Sequence, residues 1–135
     1  MLVRPANIND CEKVFLIHIE HSDFGHANEP AKYSVEDFIK MVDDERTYFL
    51  VCEKENEVIG FCVAFQLPNW TYLDIVCVKF QYRRNLVATR FLDELSSLTN
   101  CIEFCVYKDD KETLMAAKRM AKENSKLTQW FVLDK

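Results

Sequence analysis

The sequence predicts an α/β fold, of α+β type, built on one mixed β-sheet with helices on both faces. The stretch from residue 71 to residue 107 reads strand, helix, strand, and such a unit joins two parallel strands by a right-handed crossover. The two strands before it, residues 47–53 and 58–67, flank a tight turn at Glu55-Asn56 and predict an antiparallel hairpin. The sheet is therefore expected to be mostly antiparallel with one parallel pair.

A short strand and two helices are expected ahead of the hairpin. Val3 lies in the strand, and Asp10 is predicted as the N-cap of a helix that reaches about residue 22. Ser34 opens the second helix, with Asp37 as its capping-box partner. Apolar spacing gives each helix a buried side, formed by Cys11, Val14, Phe15 and His18 in the first and by Val35, Phe38 and Val42 in the second.

The second half of the chain completes the order β-α-α-β-β-β-α-β-α-β. The strand of residues 71–79 is so apolar that it must be covered on both faces. A helix from about Arg83 to Leu98 follows, and it is expected to bury Val87, Phe91, Leu95 and Leu98. The strand 101–107, a helix over about 110–124 and the strand 128–133 end the pattern. No linker or repeat intervenes, so residues 1–135 are expected to form a single domain.

Composition excludes several classes of protein. Hydrophobic residues make up 49% of the 135, which is enough for one core. The net charge of −5 argues against a nucleic-acid binder. No apolar run approaches the roughly 20 residues that cross a bilayer, and the start of the sequence lacks a signal-peptide core. A cytoplasmic protein without membrane contact is expected.

The cysteines, histidines and glycines argue against metal sites and glycine-rich phosphate loops. None of the six cysteines has C-x-x-C spacing, so they are interpreted as reduced, buried thiols. His18, His21 and His26 have spacing too weak for a metal site, and no metal is expected. With only Gly25 and Gly60, the chain has no glycine-rich phosphate loop of the P-loop or dinucleotide type.

One segment predicts an anion site. Arg83 and Arg84 lie in a turn between the strand of residues 71–79 and the helix that follows. A helix start has backbone N–H groups without partners and a partial positive charge, so it binds phosphate readily. The segment therefore predicts a site for a phosphorylated ligand. The alternative is a solvated helix start, although cations there oppose the helix dipole.

Three stretches of the sequence resemble the GNAT superfamily of N-acyltransferases. They are Val3-Arg4-Pro5-Ala6 with Asp10, the strand Glu57-Val58-Ile59-Gly60-Phe61, and the run Val78-x-Phe80-x-Tyr82-Arg83 followed by Arg84-Asn85-Leu86-Val87-Ala88. The family pattern for the last run is V-x-P-x-Y-R-G-x-G-x-G/A. Here Phe80 stands in place of the proline, and Arg84 and Leu86 stand in place of two glycines.

The resemblance implies a GNAT-like sheet, with a parallel pair of fourth and fifth strands, and acetyl-CoA as co-substrate. In the family the backbone N–H groups of this run hold the pyrophosphate. The backbone N–H of Leu86 can still donate there if the local φ is negative and helical. The cofactor-binding residues implied are Val76, Cys77, Val78, Arg83, Arg84, Asn85, Leu86, Val87, Ala88 and Thr89.

The resemblance also implies direct attack of an amine on the thioester, with an oxyanion held by an N–H near Val78. Asp74, the only charged residue within an apolar strand, is the candidate base. By a period of two, Tyr72, Asp74, Val76 and Val78 share one face. The family's acid tyrosine is replaced by Ala117, and Tyr107 is the candidate substitute. The alternative for Asp74 is a carboxylate bonded to a neighbouring turn or helix.

The expected function is an acetyl-CoA-dependent N-acetyltransferase that acts on a primary amine of a small molecule or protein. One alternative is a catalytically degenerate ligand-sensing or protein-binding module, and another is a transferase that uses a larger acyl-CoA. The aromatics Phe24, Tyr33, Trp70 and Tyr72 line an acceptor pocket or belong to the core. The last strand could pair across a homodimer.

Overall fold

Six β-strands of the described chain form one sheet, in the spatial order β1-β2-β3-β4-β5-β6. The computed structural model describes residues 1–21, 31–83, 85–107, 115, 118, 119 and 127–133, without the side chains of residues 106, 107 and 127–133. The strands are β1 (Leu2–Pro5), β2 (Thr47–Lys54), β3 (Glu57–Gln66), β4 (Thr71–Val78), β5 (Ile102–Tyr107) and β6 (Leu127–Leu133).

The pairing of these strands confirms the predicted mixed sheet. The pairs β1–β2, β2–β3 and β3–β4 are antiparallel, whereas β4–β5 is parallel. A second parallel pair joins β5 and β6. The predicted helix of residues 110–124 falls mostly outside the described residues. The predicted hairpin turn is present, with Glu55 and Asn56 both at positive φ, 52° and 64°, as a two-residue hairpin turn requires.

Helices cover both faces of the sheet, as predicted. Helices α1 (Cys11–His21) and α2 (Val35–Val42) pack on one face, and α3 (Val87–Leu98) packs on the other. The first face carries a core of buried residues that includes Val14, Ile17, Phe38, Phe61, Val63, Ile75 and Cys77. The second includes Leu50, Ile59, Cys62, Leu73, Val78, Phe91 and Leu95. The strand β4 therefore has side chains in both cores.

The helix starts follow the predicted capping chemistry with one correction. Ser34 and Asp37 form the expected capping box of α2. Asp10 is not the N-cap of α1, because Asn7 caps a short 3-10 helix that precedes α1. The Asp10 carboxylate instead accepts the Asn7 N–H and lies 2.8 Å from the Arg4 guanidinium. Arg4 also binds Glu53 on β2 at 2.9 Å, so this network ties α1 to the sheet.

The third helix begins later than predicted. A short 3-10 helix, Phe80–Tyr82, follows β4, and α3 begins at Val87 rather than at Arg83. The helix starts there because Leu86, its N-cap, has left-handed backbone angles with φ of 60°. At the other end, Leu98 is 45% exposed, so the prediction that it is buried is wrong.

All six cysteines are free thiols, as the spacing predicted. Cys11, Cys52, Cys62 and Cys77 are buried. The prediction of burial fails for Cys105, which is exposed, because the part of β5 that carries it is not covered. Within the portion of the chain that is described, no helix has the length and apolar character needed to cross a membrane.

Candidate active site

The sheet opens between its two central parallel strands. β4 and β5 are paired only at their first residues, where Thr71 faces Ile102 and Tyr72 faces Glu103. β4 continues to Val78 and β5 continues with a full ladder to β6. Beyond Tyr72, therefore, β4 has β3 as a partner on one side and no strand partner on the other. We call this opening the β4–β5 gap.

A β-bulge in β4 lies at the mouth of the β4–β5 gap. The register between β3 and β4 skips Asp74. Before the bulge, the Thr71 N–H donates to the Cys101 carbonyl at 2.8 Å, toward β5. After it, the Lys79 N–H donates to the Ile59 carbonyl at 2.9 Å, toward β3. Backbone N–H groups alternate in direction along a regular strand. Thr71 and Lys79 are an even number of residues apart, so without the bulge their N–H groups would point the same way. They point in opposite directions because the bulge reverses the alternation.

The bulge directs two amides into the β4–β5 gap. Because the Lys79 N–H points toward β3, alternation turns the N–H groups of Val76 and Val78 toward β5. No strand pairs with β4 on that side at these two residues. These two donors are fixed in place by β3 on the opposite side and face the gap.

The bulge also divides the side chains of β4 between the two faces. Tyr72 pairs with Phe65 and lies with Asp74 on the face of α1 and α2. Val76 and Val78 lie on the face of α3. The prediction that these four β4 side chains share one face is therefore wrong, because a regular period of two does not survive an inserted residue. Tyr72 and Asp74 do share a face.

Asp74 is held by two side chains from the segment that precedes α2. Its Oδ1 lies 2.8 Å from Lys32 Nζ, and its Oδ2 accepts a hydrogen bond from the Tyr33 hydroxyl. The Asp74 side chain is only 9% exposed, whereas that of Lys32 is 35% exposed. These contacts agree with the alternative expected from the sequence, in which the carboxylate is bonded to a neighbouring turn or helix. The Asp74 carboxylate still lies beside the β4–β5 gap.

Tyr33 and His18 support this arrangement from the α1 side. Burial, followed by the hydrogen bond to Asp74, raises the pKa of Tyr33 well above its ordinary value, so its hydroxyl stays protonated and donates. The Tyr33 backbone N–H donates to Nε2 of the buried His18 at 3.1 Å. Burial, with the nearby charge of Lys32, lowers the pKa of His18, which keeps that nitrogen an acceptor.

Tyr72 reaches across the closed end of the β4–β5 gap. Its hydroxyl donates to the Sγ of Cys105 on β5 at 3.7 Å. Burial, with the Cys105 contact, raises the pKa of Tyr72 to about 12. The hydroxyl is therefore a neutral proton donor at neutral pH. Tyr107 ends β5, and its side chain lies outside the described residues, as do Ala117 and Phe24.

The start of α3 offers backbone donors without a capping side chain. Leu86 provides no side-chain cap, and the first turn carries no acidic residue. The N–H groups of Val87, Ala88 and Thr89 open the helix, where no intrahelical acceptor exists. The Leu86 side chain is 56% exposed. The condition stated for Leu86, a negative and helical φ, is not met, because this position adopts the left-handed turn at which the family pattern has glycine.

Arg83 supports the turn through carbonyl oxygens. Its Nε donates to the Val78 carbonyl at 3.2 Å, and its Nη2 donates to the His21 carbonyl at the end of α1. The guanidinium also lies over the Phe80 ring, 4.1 Å from its centroid. Arg83 thereby fixes the end of β4 relative to α1. Arg84 lies outside the described residues.

The other residues predicted to bind the cofactor present different groups to the gap and to the start of α3. The Cys77 side chain faces α1, where its Sγ donates to the Ile17 carbonyl at 3.7 Å, so Cys77 can contribute only backbone to the gap. Asn85 lies in the turn and donates its N–H to the Tyr82 carbonyl at 3.1 Å. The Thr89 hydroxyl accepts from Arg119 at 2.8 Å, which brings a further cation to the first turn of α3.

Trp70, Asp44 and the possible metal ligands add no further group to the candidate site. Trp70 is 37% exposed beside the start of β4. Asp44, which follows α2, accepts from the Arg46 N–H and the Thr47 hydroxyl and so closes a turn. Among the residues that the structure describes, no group of three or more His, Cys, Asp or Glu side chains could hold a metal ion.

Sequence reasoning missed Lys32 as a partner of Asp74. The two residues lie 42 positions apart, and the sequence around Lys32 has no regular periodicity. No sequence spacing could have indicated their contact. The sequence indicates Tyr33 only as one of several aromatics, because its contact with Asp74 depends on how α2 packs on the sheet.

The chain belongs to the acetyltransferase (GNAT) family. Residues 13–122, which span α1 to the segment beyond β5, match this family. The β4–β5 gap, the bulge at Asp74 and the turn before α3 all lie within the matched residues. Among proteins with curated descriptions, none matches the chain.

Solved structures share the fold at low sequence identity. A tetramutant of the BH1408 protein from Bacillus halodurans is 21% identical, with a TM-score of 0.72 over 90% of this chain and 92% of that one. The ribosomal-protein-S18-alanine N-acetyltransferase from Escherichia coli is 13% identical, with a TM-score of 0.72 over 88% and 75%. PaiA N-acetyltransferase from Thermoplasma acidophilum, in complex with coenzyme A, is 18% identical, with a TM-score of 0.63 over 72% and 70%.

Proposed function

We propose that this acetyltransferase uses acetyl-CoA and transfers the acetyl group to a primary amine of a small molecule or protein. The observation that carries the proposal is the β4–β5 gap, into which the Val76 and Val78 amides point. A thioester bound there would meet donors on one side and the Asp74 carboxylate on the face of α1 and α2. The coenzyme A complex of PaiA N-acetyltransferase supports the choice of ligand.

The residues at the start of α3 fit a diphosphate. The helix N-terminus has no acidic residue in its first turn and no capping side chain, and Arg119 approaches Thr89. Backbone amides at a helix start, with cations near, favour phosphate. Val87, Ala88 and Thr89, with Leu86 and Asn85 in the turn, would hold the diphosphate, and Arg83 and Arg84 would add positive charge.

The chemistry that acetyl-CoA supplies is an activated acetyl group on a thioester. The N–H of Val76 or Val78 would hold the carbonyl oxygen and stabilise the negative charge that develops on it. Asp74 would accept a proton from the acceptor ammonium, directly or through water, so that the amine attacks as a neutral nucleophile. Tyr72 or Tyr107 would donate a proton to the departing thiolate. No covalent bond to the protein is required for this transfer.

A non-catalytic role is the second candidate, and two observations favour it. Leu86 occupies a left-handed position that favours glycine, which weakens the phosphate-binding turn. Asp74 already has Lys32 and Tyr33 as partners, so an acceptor amine must compete for it. A protein that binds acyl-CoA and does not turn it over would serve as a ligand-sensing or protein-binding module.

We also propose that the protein acts in a reducing compartment such as the cytoplasm, since all six cysteines are free.

The backbone of β6 pairs with β5, and the other side of β6 has no strand partner among the described residues. A second copy could add to that edge and form a homodimer. An acceptor other than nucleic acid is favoured by the net charge of −5.

Two measurements test the proposal. Acetyl-CoA at 100 times its dissociation constant should add about 2.7 kcal/mol to the free energy of unfolding. Release of free thiol from acetyl-CoA is then followed in the presence of a panel of amines, including diamines, aminoglycosides and peptides with free N-termini. Binding with amine-dependent thiol release supports the transferase. Binding without thiol release for any amine favours the non-catalytic module, and absence of both contradicts the proposal.

A further inference from the structure

The candidate base of the site already holds a primary amine from the protein itself. Lys32 Nζ lies 2.8 Å from Asp74 Oδ1. In the proposed reaction, the acceptor must bring its amine to this same carboxylate. Lys32 therefore occupies the place of an acceptor, and its side chain is 35% exposed rather than sealed in the core.

From this geometry we propose that Lys32 is a site of self-acetylation, in which the protein transfers an acetyl group from acetyl-CoA to its own Lys32 Nζ. The proposal rests on the proposed function, because it uses the same thioester and the same base. It adds a modification site and an acceptor within the chain.

The position of Asp74 makes the transfer geometrically reasonable. Asp74 forms the bulge at the mouth of the β4–β5 gap. Val76 is two residues further along β4, which corresponds to about 7 Å at the rise of a strand. A lysine side chain is flexible and has a four-carbon stem. Rotation about the bonds of that stem would carry Nζ from Asp74 toward a carbonyl held at the Val76 amide.

The step balances without a further reactant. Asp74 takes one proton from the Lys32 ammonium, and the neutral amine forms a C–N bond to the thioester carbonyl carbon. The C–S bond then breaks, and coenzyme A leaves as a thiolate that takes up the second proton lost by the nitrogen. Lys32 becomes a neutral amide, and the proton on Asp74 passes to solvent.

Acetylation would change the charge of the site. The ion pair between Lys32 and Asp74 is lost when the nitrogen becomes an amide, whereas the Tyr33 hydroxyl still binds Asp74. Asp74 then lacks its cation and becomes the stronger site for the ammonium of an incoming acceptor. Modification of Lys32 is therefore expected to increase the affinity for cationic acceptors.

The chain provides a matched control lysine. Lys79 Nζ is also paired with a carboxylate, Glu57, at 2.7 Å, and its side chain is 23% exposed. Chemical acetylation by free acetyl-CoA would modify paired, partly exposed lysines without regard to Asp74. Acetylation by the site would modify Lys32 and depend on Asp74.

The test incubates the purified full chain with isotopically labelled acetyl-CoA and maps acetyl-lysine by peptide mass spectrometry. We expect label at Lys32 at least ten times that at Lys79, at a first-order rate that does not change on dilution of the protein. Asp74→Asn should remove the preference and leave Lys79 unchanged, and Lys32→Arg should leave no label at residue 32. Absence of label at Lys32, or equal label at Lys32 and Lys79, overturns the proposal.

A second readout separates this proposal from the proposed function. Acetyl-CoA binding and amine-dependent thiol release are measured on the same preparations. If both occur without label at Lys32, self-acetylation is refuted and the transferase stands. If neither occurs and Lys32 is unlabelled, both are refuted. Label at Lys32 that grows with the square of protein concentration overturns transfer within one chain.

Discussion

Replacing Asp74 by asparagine tests the role of the carboxylate at the bulge. The change keeps the shape of the side chain and an oxygen that accepts from Tyr33, and it removes the charge that faces Lys32. A hydrogen bond to a charged group stabilises by about 1.5–3 kcal/mol, against about 0.5–1.5 kcal/mol for a neutral pair. The Tyr33 contact should therefore weaken by about 1 kcal/mol.

The loss of the Lys32 pair adds a smaller amount. The Lys32 side chain is 35% exposed, so the pair is screened by solvent and contributes about 0.2–1 kcal/mol. The free energy of unfolding should fall by about 1–2 kcal/mol in all. For a domain of this size, that lowers Tm by roughly 3–8 °C. Loss of the proposed general base should reduce kcat by about 10²–10⁴-fold, while the dissociation constant of acetyl-CoA stays unchanged.

Calorimetric melting, acetyl-CoA titration and thiol-release kinetics measure these three quantities. Glu57→Gln is the matched control, because it makes the same carboxylate-to-amide change beside Lys79 at a carboxylate that is 48% exposed. The control should keep the kcat of the unmodified protein and lower Tm by less than Asp74→Asn does. Asp74→Asn with full turnover, or with weakened acetyl-CoA binding, would refute the reasoning.

Three further predictions concern the backbone and pH. Gly60→Ala places a Cβ 2.9 Å from the Cys77 carbonyl, so denaturant unfolding should show a loss of about 1–3 kcal/mol. The pKa of His18 lies below its ordinary value of 6.5. Its contribution to the free energy of unfolding is therefore complete above pH 6.5 and is lost as the pH falls toward the folded-state pKa. His18→Gln should remove this part of the pH dependence of Tm. Leu86→Gly relieves a left-handed position that costs about 1–2 kcal/mol and should raise the free energy of unfolding by up to that amount in denaturant unfolding, and Glu55→Gly, at a similar φ in the β2–β3 turn, should have a similar effect.

The sequence predicted the sheet and missed its irregularities. Apolar alternation and the strand-helix-strand unit were enough for the antiparallel hairpin and the parallel β4–β5 pair, because both depend on burial that repeats along the chain. The bulge at Asp74 could not be predicted from a period of two, since one inserted residue is set by the fit between β3 and β4. It is also what turns the Val76 and Val78 amides toward the gap.

The sequence predicted the part of the candidate site that is formed by residues close together in the chain. The turn from β4 to α3 was located correctly, but the start of α3 was placed too early because a left-handed leucine is not expected from propensity. The contact of Lys32 with Asp74 was invisible because it joins distant segments through the packing of α2. Long-range contacts between polar side chains carry no periodic signal in a single sequence.

The proposed function depends on amides of β4 and of the first turn of α3 holding acetyl-CoA in the β4–β5 gap. The most direct test is a titration of the ¹⁵N-labelled protein with acetyl-CoA, followed by amide chemical shifts. The largest shifts are expected at the amides of Val76, Val78, Val87, Ala88 and Thr89. Saturable shifts confined to other parts of the sheet, or unchanged spectra at millimolar ligand, would contradict it.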